Sequence, residues 1–183
     1  MIIGIIIGVV VFIVIIWIIA TYNSLVSLRN KTKDQWAQID VQLKRRFDLI
    51  PNLVETVKGY AKHESETLEK VVAARNTFLD AKTPEEEMKA DGELSNAIGR
   101  LFAISEAYPD LKANANFTSL QTELSQTEDK ISYARQFYND DILKYNNKIE
   151  MFPGNIVAKM FGFKLGTYFE INDKEKENIQ VKF

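Results

Sequence analysis

The first twenty residues constrain this chain more than any other feature. Residues 2–20 carry no charged side chain, and most of them are isoleucine or valine. As a helix rising about 1.5 Å per residue, this stretch would be about 28 Å long, close to the roughly 30 Å hydrocarbon core of a bilayer. We therefore predict a transmembrane anchor over residues 1–22. No proline or turn signal follows it at once, so the helix is expected to continue into the rest of the chain.

A cleaved signal peptide is the alternative interpretation of the apolar stretch. Such peptides have a basic region, an apolar run of about 7–15 residues, and a small-x-small cleavage site. Here no lysine or arginine precedes the run, and Ala20 has no small residue two positions before it. The sequence therefore favours an anchor that is not cleaved.

Basic residues lie on only one side of the predicted span. Arg29, Lys31 and Lys33 follow it closely, and no basic side chain precedes it. The positive-inside rule then predicts a single-pass protein of the cell membrane, with its N-terminus outside and its domain in the cytoplasm. The same three side chains are the best placed to contact anionic lipid headgroups.

Composition and motif searches point away from several classes of function. The net charge of −2 is not typical of a nucleic-acid-binding protein, and the absence of cysteine excludes disulfides, thiolate metal sites and cysteine nucleophiles. The single histidine, His63, cannot form an H-E-x-x-H zinc site because position 67 is threonine. It also cannot supply the two Glu-x-x-His pairs of a di-iron bundle site. We therefore expect a protein that is not an enzyme and has neither a cofactor nor a small-molecule substrate.

Apolar residues recur at helical spacing after the anchor, and no stretch before Pro153 alternates with period two. The first heptad series is interrupted only by Glu64; its members are Trp36, Leu43, Ile50, Val57, Val71 and Phe78. A capping box at Thr83–Glu86 predicts the start of another helix. The fold class expected is all-α, with the transmembrane helix continuing into an antiparallel bundle of three to four long helices.

The bundle is expected to occupy residues 23–152, with a different kind of segment after it. Residues 153–183 begin with an apolar piece that fits a short helix followed by an extended, glycine-containing stretch. The chain then ends in a charged tail. We predict a short amphipathic segment and a tail for this region.

Pro51 allows two interpretations of the first long helical stretch. A proline inside a helix removes a hydrogen bond and clashes with the preceding turn. The apolar stripe keeps its phase across Pro51, which favours a kink, but a reversal at residues 48–52 is the alternative. A reversal gives four helices and returns residues 152–169 toward the bilayer, whereas a kink gives three and points them away.

Two sets of residues are candidate contacts with another protein. Gly4 and Gly8 form a G-x-x-x-G pattern in the apolar span, which lets transmembrane helices approach closely. Lys44, Arg45 and Arg46 form a basic cluster, either a solvated helix face or a contact with another subunit or partner. That cluster begins about 36 Å beyond the span in a straight helix, too far for direct headgroup binding.

Several sequence blocks together carry a family resemblance. The longest is W-A-Q-I-D-V-Q-L-K-R-R-F-D-L-I-P-N-L-V-E-T-V-K-G-Y-A-K-H-E at residues 36–64. Others are Y-N-S-L-V at 22–26, Y-P-D-L-K-A-N at 108–114, and the pairs Asn116-Phe117, Ala134-Arg135, Tyr138-Asn139, Tyr145-Asn146 and Phe152-Pro153. With Tyr168-Phe169-Glu170 at the end, the chain resembles the bacterial LemA family over nearly its whole length.

The resemblance implies an N-terminal transmembrane helix and a bundle of four-helix character, which favours a break near Pro51. It brings no established activity and no catalytic residue; some members are associated with magnetosome membranes and others with membrane proteases. We therefore expect a scaffold that binds the lipid bilayer and forms a homo-oligomer. The alternative is a regulatory adaptor for a membrane protease or another membrane protein.

Overall fold

The computed structural model describes residues 2–61 and 63–169, and all regular secondary structure in this part of the chain is helical. The helices are α1 (Ile2–Tyr60), α2 (Ser65–Asp80), α3 (Pro84–Ser105), α4 (Pro109–Lys112), α5 (Ala115–Glu150) and α6 (Gly154–Met160). The all-α prediction is confirmed. The predicted charged tail lies outside the described residues.

Helix α1 runs without interruption through 59 residues. Every side chain from residue 2 to residue 16 is exposed, although most of them are large and apolar. By length and composition this helix can cross a membrane. Apolar exposure on this scale is typical of a surface that lipid or another protein covers.

Pro51 lies inside α1 with an exposed side chain, so the helix continues through it, as the phase of the apolar stripe favours, and the alternative of a reversal at residues 48–52 is wrong. The chain reverses about ten residues later, between the end of α1 at Tyr60 and the start of α2 at Ser65. The rings of Phe47 and Phe78 lie 5.5 Å apart, which shows that α1 and α2 are antiparallel. On sequence grounds, a helix that continues through Pro51 implies a bundle of only three helices. That prediction is also wrong, because the chain reverses between Tyr60 and Ser65 and thereby forms a fourth helix.

The described chain divides into two compact units, and α1 and α5 contribute residues to both. The larger unit comprises residues 39–61, 63–135 and 169. It is a four-helix bundle in which Phe102, near the end of α3, contacts Phe117, near the start of α5, with ring centroids 6.2 Å apart. Its core includes Ile50, Leu53, Val57, Val71, Leu94, Leu101, Leu111, Phe117 and Leu124.

Helix α3 begins as the capping signal predicts. The Thr83 side chain accepts a hydrogen bond from the N–H of Glu86 at 3.2 Å, and Pro84 occupies the first helical turn. The Glu86 carboxylate accepts from the N–H of Lys82 at 2.8 Å, one residue earlier than in an ideal capping box. The three acidic residues of this first turn also suit the positive end of the helix dipole.

The smaller unit comprises residues 2–38 and 136–168. Its core includes Leu25, Tyr145, Val157 and Ala158. After α6 the chain runs back along α5, where the side-chain amide of Asn146 exchanges two hydrogen bonds with the backbone of Gly166, at 2.8 and 3.0 Å. The Tyr138 hydroxyl donates to the Thr167 carbonyl at 3.0 Å.

The position of this last segment corrects a second prediction. A helix that continues through Pro51 predicts that residues 152–169 point away from the membrane. Instead, Phe161 and Phe163 pack on Tyr22, with ring centroids 4.8 and 5.7 Å from its own. The last turns of α5 therefore lie beside the end of the apolar stretch, where Trp17 and Ile18 pack against the core cluster that contains Tyr145.

Candidate functional site

Four charged side chains in the larger unit form what we call the buried ion cluster: Arg46, Asp91, Glu128 and Arg135. Arg46 Nη1 lies 2.8 Å from Asp91 Oδ1 and 2.8 Å from a Glu128 carboxylate oxygen. Arg46 Nη2 donates to the Ser95 hydroxyl at 2.8 Å. Arg135 donates to the second carboxylate oxygen of Asp91. Asp91 is completely buried, and Arg46 is only 3% exposed.

The charges of the buried ion cluster balance, with two guanidinium groups and two carboxylates. Each oxygen of Asp91 accepts from a different arginine, so its charge is paired on both sides. The Phe169 ring lies 4.5 Å from the Arg135 guanidinium carbon and covers it. A buried charge is tolerated when it is paired and hydrogen-bonded, and removal of one partner is costly. The cluster thereby links α3 to α1 on one side and to α5 on the other.

Sequence reasoning missed the buried ion cluster, although a signal for it was present. Asp91 precedes Leu94 by three residues and therefore lies on the apolar stripe of α3. Arg46 lies three residues after Leu43 and four before Ile50. Arg135 lies four residues after Ile131 and three before Tyr138. A charged residue at a core position of a helix indicates a buried partner on another helix.

Another carboxylate on α3, that of Glu87, has an unfavourable environment in the folded protein. Burial, together with the nearby charge of Asp40, raises the pKa of the Glu87 carboxyl above its usual value. Its buried Oε2 atom has no hydrogen-bond partner among the described residues. The folded protein therefore binds this proton more tightly than the unfolded chain does, and the stability linked to it is lost as pH rises through the folded pKa.

We predict that Glu87→Gln stabilises the protein at neutral pH and loses this advantage in acid. The half-buried wild-type carboxyl is more fully ionised at about pH 8 than at about pH 4, whereas glutamine is uncharged at both, so the advantage of glutamine is larger at the higher pH. Denaturation curves at the two pH values measure the difference, with the exposed Glu85→Gln as control. Equal effects of Glu87→Gln at both pH values would contradict the assignment.

The predicted contact residues fall in different environments. The prediction that Arg46 contacts another subunit or partner is wrong, because its side chain is buried within the bundle and pairs there with Asp91. Lys44 and Arg45 are exposed, and Arg45 lies 4.0 Å from Glu123. Gly4 and Gly8 are exposed, with open space where a side chain would project. Their role in contacts stays a prediction.

The three predicted headgroup residues are all exposed in the smaller unit. Lys31 Nζ lies 3.0 Å from Asp141, whose side chain is buried and also lies 3.4 Å from Lys144. The Arg29 guanidinium lies 5.3 Å from the centre of the Phe163 ring. Contact of these residues and of Lys33 with lipid stays a prediction.

The larger unit has two surface depressions, and the first of them is lined in part by Arg46. A cleft of about 630 Å³ is lined by polar and apolar residues beside the buried ion cluster, among them Arg46, Ser95 and Gln121. A more apolar groove of about 700 Å³ lies between α1 and α2, lined by Val54, Ala61, Leu68 and Val72. Over residues 2–61 and 63–169, no group of three or more potential metal-ligating side chains is close enough to hold an ion. His63 is exposed in the turn before α2.

Comparison with known proteins gives one family and several relatives. Residues 35–183 match the model of the LemA family. The chain is 28% identical to magnetosome protein MamQ 1 of Paramagnetospirillum magneticum over 175 residues, covering 81% of this chain and 64% of that protein. MamQ of Magnetospirillum gryphiswaldense gives the same identity and coverage over 174 residues. Protein LemA of Metamycoplasma hominis is 28% identical over 162 residues, 87% of this chain and 73% of that protein. The chain thus spans less than two thirds of the length of these MamQ proteins.

Proposed function

The chain belongs to the LemA family, and from that premise we propose that it is a non-enzymatic, single-pass membrane scaffold that self-associates through its anchor and its bundle. The observation that carries the proposal is the continuity of α1. One helix of 59 residues contains both the apolar stretch and the first helix of the bundle. The relatives named as magnetosome proteins support a role in organising a bacterial membrane.

The topology proposed has the N-terminus outside and the helical domain in the cytoplasm. Arg29, Lys31 and Lys33 are exposed about two and a half to three and a half helical turns beyond the apolar stretch, on the side of the domain. Their positive charges favour the cytoplasmic side of the membrane and attract anionic headgroups there.

Self-association has a defined candidate surface in the anchor. At Gly4 and Gly8 nothing occupies the space where a side chain would project, so a second apolar helix has room to approach closely. On the bundle, Lys44 and Arg45 project from the same helix into solvent.

Light scattering coupled to size exclusion tests the scaffold with full-length protein in detergent. We expect one discrete mass that is a whole multiple of the protomer mass. The variant Gly4→Leu/Gly8→Leu is expected to give a smaller mass, because its leucine side chains fill the space into which a second helix would pack. Ile6→Leu/Val10→Leu, on the opposite face of the helix, is the control and is expected to keep the wild-type mass. A wild-type protein that elutes as a clean monomer would overturn self-association as its main role.

A regulatory adaptor for another membrane protein is the second candidate, and the groove between α1 and α2 favours it. This groove exposes apolar side chains, including Val72 at 39%, in a concave surface. Such surfaces are typical sites for a partner segment. Pull-down from native membranes separates the two functions, because a scaffold returns mainly itself and an adaptor returns a stoichiometric second protein.

A further inference from the structure

The smaller unit exposes a set of large apolar side chains that we call the C-terminal apolar patch. Its members are Met151, Phe152, Ile156, Met160, Phe161 and Leu165, each 51–80% exposed. Ile156 and Met160 lie one turn apart on the outer face of α6, whereas Val157 and Ala158 on its inner face are buried in the core. Helix α6 thus has apolar side chains on both faces, with Lys159 and Asn155 as its polar side chains. A helix of this kind is typical of an apolar environment and not of a water-exposed surface.

The patch lies directly beside the last turns of the predicted anchor. Trp17 and Ile18 pack against the core cluster that contains Val157 and Ala158. Phe161, a member of the patch, contacts Tyr22 two residues after the apolar stretch. A bilayer that covers the exposed side chains of Ile16 and Ile19 must therefore also reach α6.

The charges around the patch are those of a segment that binds an anionic surface. Between Lys144 and Tyr168 the chain carries four lysines and a single acidic residue, Glu150. Lys159 and Lys164 are exposed. Lys144 and Lys148 line a groove of about 450 Å³ together with Trp17, Thr21 and Asn147. Aromatic and lysine side chains beside an apolar surface are the usual composition of a membrane-interface segment.

We propose that residues 151–165 form a second membrane contact, which inserts the C-terminal apolar patch into the interfacial region of an anionic leaflet next to the anchor. The lysines then lie at the level of the phosphate groups, and the apolar side chains lie just below them. The protein thus holds the bilayer at two adjacent places, which fixes the rotation of α1 about its own axis. This contact does not depend on self-association.

The absence of cysteine makes the contact directly measurable on the full-length chain. Single cysteines introduced by Phe152→Cys and Ile156→Cys carry a nitroxide label, and Tyr133→Cys, at an exposed position on α5, is the control. The labelled proteins are reconstituted in nanodiscs of phosphatidylcholine and phosphatidylglycerol. Collision rates with molecular oxygen and with a water-soluble nickel complex are then measured by electron paramagnetic resonance.

We expect the nickel collision rate at positions 152 and 156 to be several-fold lower than at position 133, and the oxygen collision rate to be higher. Equal nickel access at all three positions would place the patch in water and overturn the proposal. Low access to both reagents, with spin–spin broadening that disappears on dilution with unlabelled protein, would show a second copy on the patch and overturn it as well.

A change of lipid composition and substitution of two lysines test whether anionic headgroups contribute to the membrane contact. In nanodiscs of phosphatidylcholine alone, or with Lys159→Gln/Lys164→Gln, nickel exclusion at position 152 is expected to weaken. Unchanged exclusion under both conditions would overturn the role of anionic headgroups. A monomeric protein with a nickel-protected patch would keep this inference and reject the scaffold, whereas an oligomer with a water-exposed patch would do the reverse.

Discussion

Replacement of Asp91 by asparagine is expected to lower the free energy of unfolding by about 3–5 kcal/mol, the usual cost of breaking a buried ion pair. The substitution keeps the size of the side chain but removes its charge. The buried guanidinium groups of Arg46 and Arg135 would then lose the carboxylate that accepts from both of them. Chemical denaturation of full-length protein in detergent, followed by circular dichroism, measures the loss.

Two further variants show whether the effect comes from the buried ion cluster. Glu93→Gln, at an exposed position on the same helix, is expected to change stability little. The combined replacement of Arg46, Asp91 and Arg135 by apolar residues of similar volume is expected to restore much of the stability lost by Asp91→Asn, since the three buried charges are removed together and the remaining Glu128 is partly exposed. A loss below about 1 kcal/mol for Asp91→Asn, the range of surface ion pairs, would show that water reaches the cluster.

Pro51→Ala is expected to stabilise the protein, by up to about 3 kcal/mol, the difference between alanine and proline inside a helix. In the folded chain Pro51 is exposed and lies within α1, where it leaves the Phe47 carbonyl without its helical N–H donor. Alanine supplies that donor without a change in packing. The midpoint of denaturation is expected to rise accordingly.

Pro84→Ala is the matched control for this prediction. Pro84 occupies the first turn of α3, where a backbone N–H has no helical partner and proline is favourable. Its replacement is expected to be neutral or slightly destabilising. If Pro51→Ala destabilised the protein instead, the chain would have to turn at Pro51, as the reversal hypothesis requires.

The helical class and the start of α3 followed from the sequence because each depends on local patterns. The position of the first reversal did not. Proline is the stronger local signal, yet the apolar stripe continues in phase beyond it, and packing along that stripe keeps α1 intact. The true break carried a weaker signal, since Glu64 replaces an apolar residue in the heptad series and Gly59 and Lys58 lie in the last turn of the helix.

The buried ion cluster shows a different limit of sequence reasoning. The positions of Arg46, Asp91 and Arg135 on apolar stripes indicate that each is buried, but their pairing depends on how three helices pack. Arg46 and Asp91 are 45 positions apart, and Asp91 and Arg135 are 44 apart. A single sequence does not reveal contacts at such separations. For the same reason, Arg46 looked like part of an exposed basic cluster with Lys44 and Arg45.

The two segments that form the smaller unit are far apart in sequence, and this separation has a consequence for biosynthesis. Lys31 pairs with Asp141, which the ribosome adds 110 residues later. At about 5–20 residues per second this interval lasts roughly 5–20 s. The hairpin of α1 and α2 is already complete in sequence long before then. Of the described residues, those of the smaller unit are therefore the last to be able to pack together, and the apolar surface of this unit is open to chaperones and to premature association while synthesis continues.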